Sequence, residues 1–371
     1  MSKAKLFSPV QIGPIEFSNR IVVAPMCQYS ADNGCVTDWH RMHVMQYAIS
    51  GAALFMLEAT SVTPDGRITP LCLGLYNDEQ ESKLHTLIDA CKRYGSTKLG
   101  IQLNHAGRKG ASAPFWLGGV PLAPEDGGWQ TYAPSAIALA PQWPTPNAYS
   151  ESELQALLKA YCDSTQRSAR VGFDVLEIHA AHGYLLHQFL SPISNHRQDK
   201  YGGDAQGRQR FPLDVVKAVR AIWPGDRVLG VRVSTTDWLS EGLQIKDVID
   251  FLVAAKQLGV DYVCVSSGGI RPDIRIPVGL NYQVGLASEV RRETGLFTRA
   301  VGMIVAPKQA EEIVQEGHAD QIAIARGFID DPRWVWHAAD QLGAEIGYAP
   351  QYERAKPALW PGFQHRAEKQ T

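Results

Sequence analysis

A chain of 371 residues with a formal net charge of -2 can bury a large core, and that balance argues against nucleic acid or an anionic membrane as its main partner. Apolar residues make up 45% of it, as in an ordinary globular enzyme. No window reaches the roughly 18 apolar residues that a membrane span needs, and six cysteines without a Cys-x-x-Cys pair supply no structural zinc or iron–sulfur ligand set.

In chain order, residues 1–9 carry no long apolar run, so no secretory leader and a cytoplasmic location with reduced thiols are expected. Residues 5–18 read as a hairpin capping the N-terminal mouth of a barrel. Short apolar segments at 21–26, 53–60, 98–105, 174–181, 228–234, 262–268, 297–304 and 321–327 have the composition of strands buried on both faces. They alternate with helical patterns at 39–49, 79–94, 151–171, 211–223, 246–258, 282–294, 308–316 and 332–342. Ser150 with Glu153 forms a capping-box pattern, and Gly172, Gly259, Gly295 and Gly317 stand where helices end. Eight such units predict an α/β fold, a (β/α)8 TIM barrel over residues 1–371 as a single domain. The absence of Gly-x-Gly-x-x-Gly from the first unit weighs against a Rossmann fold. Two stretches fall outside the alternation. Residues 107–149, after the third strand, are rich in Gly, Pro and Trp and read as a lid or binding loop, and residues 355–371 read as a C-terminal tail.

The C-terminal ends of barrel strands are where chemistry collects. Strand one ends in Ala24-Pro25-Met26-Cys27-Gln28-Tyr29, strand two in Glu58-Ala59-Thr60, strand three in Gln102-Leu103-Asn104-His105. Strand four opens into His179-Ala180-Ala181-His182-Gly183-Tyr184, and strand five carries Arg232. The two imidazoles can donate to an oxygen that gains charge, and the phenol can give up a proton. Metal ligation, with His105 and Glu58 as the conceivable further ligands, and plain structural histidines are the competing readings of the pair. Cys27 reads as a small buried hydrophobe without a base beside it. Gly302, Ala325 and Arg326 mark the ends of strands seven and eight, where barrels hold phosphate. A salt bridge from Arg326 to Asp330 or Asp331 is the alternative there.

Taken together these residues resemble the Old Yellow Enzyme family of FMN-dependent ene-reductases, and more narrowly its bacterial thermophilic-like subgroup. The motifs that carry the resemblance are Asn19-Arg20-Ile21, Ala24 to Tyr29, Glu58-Ala59-Thr60, Gly66-Arg67-Ile68, Gln102 to Lys109, His179 to Pro192, Asn195-His196-Arg197 and Gln351-Tyr352-Glu353-Arg354. The resemblance implies FMN at the C-terminal mouth, bound by Ala24, Pro25, Met26, Cys27, Ala59, Gln102 and Arg232, with Gly302, Ala325 and Arg326 on its phosphate. It implies His179 and His182 on the substrate's activating oxygen, Tyr184 as proton donor and Tyr29 as a substrate contact. Cys27 would tune the flavin. NADPH or NADH would be co-substrate, and the substrates would be activated alkenes bearing a carbonyl or nitro group. A homodimer or homotetramer is implied, in which Arg354 reaches a neighbouring site.

Three departures stand out. The family's Tyr-Gly-Gly-Ser-x-Glu-Asn-Arg run reads Tyr201-Gly202-Gly203-Asp204-Ala205-Gln206-Gly207-Arg208 here, which puts the loop's hydrogen bonds in question. Ala325 stands where relatives often have Gly. The tail beyond Arg354 is longer than usual, which leaves that arginine's reach open. Two other classes remain at this point: a flavin-free barrel lyase or isomerase acting on a phosphorylated metabolite, and a binding module without catalysis.

Overall fold

The structure is a computed structural model that describes residues 4–365; the last part of the expected tail, 366–371, lies outside the described residues. A small antiparallel hairpin opens the chain, β1 (Val10–Ile12) against β2 (Ile15–Phe17), with Val10 opposite Phe17. The barrel then begins with β3 (Ile21–Val23), α1 (Asp38–Ala48), β4 (Leu54–Ser61), α2 (Asp78–Tyr94) and β5 (Lys98–Asn104). A long excursion comes next and contains only short 3-10 turns and a two-residue pairing of β6 (Tyr132–Ala133) with β7 (Asn147–Ala148). The alternation resumes with α3 (Glu151–Val171), β8 (Val175–Ala180), α4 (Leu185–Leu190), α5 (Ala205–Ile222), β9 (Val228–Ser234), α6 (Ile245–Gln257), β10 (Tyr262–Ser266), α7 (Val284–Thr294), β11 (Phe297–Ala300), α8 (Pro307–Gln315), β12 (Gln321–Ile324), α9 (Arg326–Asp330) and α10 (Trp334–Gln341). The strands close in the order β3-β4-β5-β8-β9-β10-β11-β12, with β12 parallel to β3. The expected (β/α)8 barrel is present.

This closure creates two layers of core. One fills the space between strands and helices, where Phe55, Leu103, Phe173, Phe189, Phe211 and Phe251 are buried. The other lies at the N-terminal end of the barrel, where Ile12 and Phe17 of the hairpin pack with Val22, Leu54, Val175 and Val228. The hairpin therefore plugs the bottom and leaves the strands' C-terminal ends open. Above that plug the interior is polar and charged. Glu177 is fully buried and receives Gln102 Nε2 at 2.7 Å and the Tyr262 hydroxyl at 2.9 Å, with Arg299 beside it at 3.5 Å.

The boundaries moved where side chains leave the ladder. Residues 24–26 and 325–327 are not strand, because Pro25 has no N–H to extend the ladder and α9 begins at Arg326. The helix expected at 211–223 begins at Ala205, since Asp204 caps it by accepting Gly207 N–H at 2.8 Å. Pro212, inside this helix, imitates a helix start when only the sequence is read. The questioned loop hydrogen bonds are thereby accounted for: Asp204 caps, and Arg208 donates to the carbonyls of Leu190 and Gly203. Ser150 and Glu153 form the expected capping box, and Gly172 and Gly295 end α3 and α7 in the left-handed region. No helix among the described residues is long and apolar enough to cross a membrane.

Candidate active site

The loop after β8 holds its side chains in a triangle. The His179 ring stands edge-on to His182 at 5.1 Å and to Tyr184 at 4.9 Å between centroids. His179 is buried, and its Nδ1 accepts the Ala181 N–H at 3.2 Å, so the neutral ring carries its proton on Nε2. His182 takes the left-handed backbone conformation at φ +57°, its N–H donating to Ser234 Oγ at 2.9 Å and its Nε2 sharing a hydrogen with Ser266 Oγ at 2.7 Å. Burial, then the positive charge of Arg232, holds both imidazoles well below the usual histidine range. They are neutral near pH 7. Burial lifts the Tyr184 phenol well above its ordinary value, so it keeps its proton.

The turn Gly183 provides is obligatory. Its φ is +73°, and a Cβ there would lie 2.1 Å from the Gly269 carbonyl oxygen. The loop is fixed from behind by a buried relay in which Gly183 N–H donates to His187 Nδ1 at 2.8 Å and His187 Nε2 meets Asp237 at 3.0 Å. Asp237 also accepts the Ser191 hydroxyl and the Leu243 N–H.

Arg232 lies on β9 directly beside His179 in the register. Its Nε is buried and has no hydrogen-bond partner. It lines a cleft of about 440 Å³ together with Ala24, His182, Gly302, Ala325 and Arg326. Gly302 has φ +108°, and a Cβ would press within 2.8 Å of the Tyr282 and Gln283 side chains, so only glycine leaves the cleft open. The cleft thus offers an orphaned guanidinium at its floor and a second one at its rim. That is the donor set an anionic phosphate and an electron-rich ring edge need.

The opposite wall is formed by the segment after β3. Cys27, Tyr29 and Tyr184 pack against a small cluster of Ala59, Ile68, Cys72 and Ala106. Burial, with the Glu58 carboxylate second, raises the Cys27 thiol well above its ordinary value, so it is not a thiolate nucleophile. Glu58 anchors the segment by accepting Gln28 N–H at 3.0 Å, and buried His40 lies 3.3 Å from its other oxygen. Tyr29, at φ +47°, meets the rings of Phe115 and Trp116 from the long loop. Gln102 is buried in the barrel interior.

The structure therefore brings Ala24, Cys27, Tyr29, Ala59, His179, His182, Tyr184, Arg232, Gly302, Ala325 and Arg326 to one end of the barrel, with Pro25 next to Ala24 in the chain; Met26 packs against the outer core, and Gln102 lies deeper, bonded to Glu177. Arg354 does not join them, being exposed on the turn Pro350–Ala355. The alternative of Arg326 paired to Asp330 or Asp331 is not what forms, since Asp331 bonds His337 and Arg326 lines the cleft. Among the described residues no group of three or more His, Cys, Asp or Glu is arranged to hold a metal ion. Sequence reading missed Ser266 and Gln283, the Asp237–His187 relay and the His40–Glu58 pair. Ser266-Ser267-Gly268-Gly269 at the end of strand six was the available signal for the first two.

A closed parallel barrel with polar side chains gathered at the strands' C-terminal ends defines a class, that of barrel enzymes whose site lies at that mouth. A family model described as the NADH:flavin oxidoreductase / NADH oxidase family matches residues 5–345, and the chain belongs to that family. FMN is accordingly its cofactor and a reduced nicotinamide its co-substrate. The chain is 42% identical over 351 residues to an NADPH dehydrogenase of Geobacillus thermodenitrificans, covering 94% of this chain and 98% of the relative. It is also 42% identical over 353 residues to an NADPH dehydrogenase of Bacillus subtilis, with 94% and 98% covered. Among solved structures, a morphinone reductase superposes with a TM-score of 0.76 at 25% identity, over 93% of this chain and 91% of that one. An Old Yellow Enzyme homologue from Zymomonas mobilis shares the fold with a TM-score of 0.75 at 23% identity, over 93% and 94% of the two chains. The resemblance read from the motifs is borne out.

Proposed function

We propose that this chain is an NAD(P)H-dependent ene-reductase acting on alkenes activated by a carbonyl or nitro group. The single observation that carries the reading is the His179–His182–Tyr184 triangle, with neutral imidazoles and a protonated phenol, beside a guanidinium that lacks a protein partner. NADPH as the co-substrate is favoured by the relatives' names.

Ala24, Pro25, Met26, Cys27, Ala59 and Gln102 would flank the flavin ring, Arg232 would meet its electron-rich edge, and Gly302, Ala325 and Arg326 would hold the phosphate. FMN, when bound, supplies hydride to the β-carbon of the alkene. The protein's own part is polarisation and proton transfer. His179 Nε2–H donates to the substrate oxygen. His182, whose Nε2 lies 2.7 Å from Ser266 Oγ, would make the second donor through Nδ1 in the tautomer that carries its proton there. The two draw charge off the β-carbon, and neutral donors held in place by the fold do this without reorganisation. Tyr184 then protonates the α-carbon, and Tyr29 contacts the rest of the substrate. Arg354 would complete a neighbouring site in a homodimer or homotetramer, which sedimentation and an Arg354→Ala variant test.

The decisive assay is anaerobic turnover of 2-cyclohexenone with NADPH in deuterated water. The expected product is cyclohexanone with deuterium at the α-carbon and protium from the nicotinamide at the β-carbon. Flavin reduction without any saturated ketone formed would overturn the proposal.

A further inference from the structure

Lys109 is a charged residue to which the mechanism assigns no part, and a role for it rests on the reading of Tyr184 as proton donor. It ends the turn Gly107–Lys109 that leaves β5. Its Nζ stands over the Tyr184 ring, 5.2 Å from the centroid. The same ammonium donates to the His182 carbonyl at 2.8 Å and to the Gly269 carbonyl at 3.3 Å. No carboxylate among the described residues is paired with it, and the charge that acts on it is the like charge of Arg108.

An enclosed ammonium ordinarily has a carboxylate partner, because an unpaired charge away from water is costly. Here two carbonyl dipoles and a phenol face take that place. The arrangement changes when Tyr184 gives up its proton. A neutral ring attracts the cation only through its quadrupole, whereas a phenolate attracts it charge to charge. Lys109 therefore stabilises Tyr184 more after proton transfer than before, which is the condition for lowering a barrier. A carboxylate beside Lys109 would cancel the effect, so its absence is part of the design.

We propose that Lys109 is a positioning residue that supplies the counter-charge for the Tyr184 phenolate and, through the His182 carbonyl, holds the oxygen-binding imidazole in its left-handed turn. In the step concerned, hydride addition to the β-carbon leaves an enolate held by the imidazoles. The Tyr184 O–H bond breaks, its electron pair stays on oxygen, and the proton forms the new C–H bond at the α-carbon. Water then returns a proton to the phenolate. The titratable groups that face the ammonium are Arg108 on its own turn and His179, His182 and Tyr184 on the segment that runs from β8 into α4; the segment at Gly269 contributes a carbonyl. Burial and Arg108 pull the Lys109 ammonium down to about 8, so its charge is lost within an accessible range of pH.

The test is stopped-flow measurement, on the FMN-loaded enzyme, of flavin reduction by NADPH and of its reoxidation by 2-cyclohexenone, in wild type, Lys109→Met, Lys109→Arg and Tyr184→Phe. Lys109→Met should lower the ratio of reoxidation to reduction by about tenfold or more, and Lys109→Arg should restore it to within about threefold. Wild-type reoxidation should decline as pH rises from 7 to 9 through about 8, and Lys109→Arg should abolish that decline because a guanidinium keeps its charge. An unchanged ratio in Lys109→Met, or a decline that persists in Lys109→Arg, overturns the role of Lys109. If Lys109→Met does not fold, the pH comparison of wild type with Lys109→Arg decides alone. An unslowed Tyr184→Phe overturns the proton-donor reading itself, whereas a slowed Tyr184→Phe beside an unaffected Lys109→Met overturns only this inference.

Discussion

At the scale of single residues, burial decides the protonation states on which the chemistry depends. His179 and His182 are kept neutral and Tyr184 and Cys27 are kept protonated, so the mouth holds donors and no anionic nucleophile. Each unit added to a thiol's pKa removes roughly tenfold of its thiolate at a fixed pH below that pKa, and thiolate is the form that reacts. Iodoacetamide at pH 8 should therefore label Cys27 at least about tenfold more slowly than a free cysteine, as mass spectrometry of the tryptic peptide would record; rapid labelling would contradict the assigned state. The same logic governs the histidines. The double change of His179 and His182 to Ala should abolish the charge-transfer band that phenolic ligands give with FMN, and an unaltered titration would remove both from the oxygen site. His179, His182 and Tyr184 were legible because they follow a buried strand, and position along the chain sufficed. Ser266 and Gln283 were not read, and Lys109 only as the end of a motif, since each acts through a partner at least 16 residues away in sequence, as Gln283 does with Ser267. Only closure of the barrel brings such pairs together.

At the scale of elements, the loop between β8 and α4 is a rigid platform held by α4 from below. His187 lies on the first turns of α4 and reads the Gly183 amide with one nitrogen and Asp237 with the other. Burial alone would raise the Asp237 carboxyl, but His187, the Ser191 hydroxyl and the Leu243 N–H outweigh it and leave the net shift downward from 3.8. A lowered carboxyl contributes stability that is fully present above 3.8 and fades as pH falls through its native value. Asp237→Asn should accordingly cost about 1 to 3 kcal/mol at pH 7, because an amide cannot accept from His187, Ser191 and Leu243 together, and should flatten the acid limb of the unfolding curve. Equal denaturation midpoints for the two proteins would sink the relay. Gly183→Ala meets the Gly269 carbonyl directly and should lower alkene turnover while FMN stays bound. The elements themselves were largely read correctly, except that α4 and α9 went unseen and α5 began later in the reading than in the fold. Helices of five and six residues are too short to show a periodic face, and Pro212 disguised the first turns of α5.

At the scale of the whole molecule, the two ends of the barrel divide the labour. Phe17, fully buried on the hairpin, packs with Val22, Leu54 and Val175 and seals the N-terminal end. Phe17→Ala should cost about 3 to 5 kcal/mol, measured by urea denaturation, and leave the flavin site's ligand affinity nearly unaltered. Between plug and mouth lies the Glu177–Arg299 pair with Gln102 and Tyr262, a charged layer that no local pattern in the sequence disclosed. The barrel was legible because eight apolar segments alternate with helical ones; this layer was not, because its members come from four different strands. The proposed chemistry stands on Tyr184 giving its proton to the alkene. Reduction of the bound flavin by NADPH and its reoxidation by 2-cyclohexenone, measured separately in Tyr184→Phe, probe that most directly. Reduction should keep nearly its full rate while reoxidation slows by about 100-fold or more; reoxidation at the wild-type rate would contradict it.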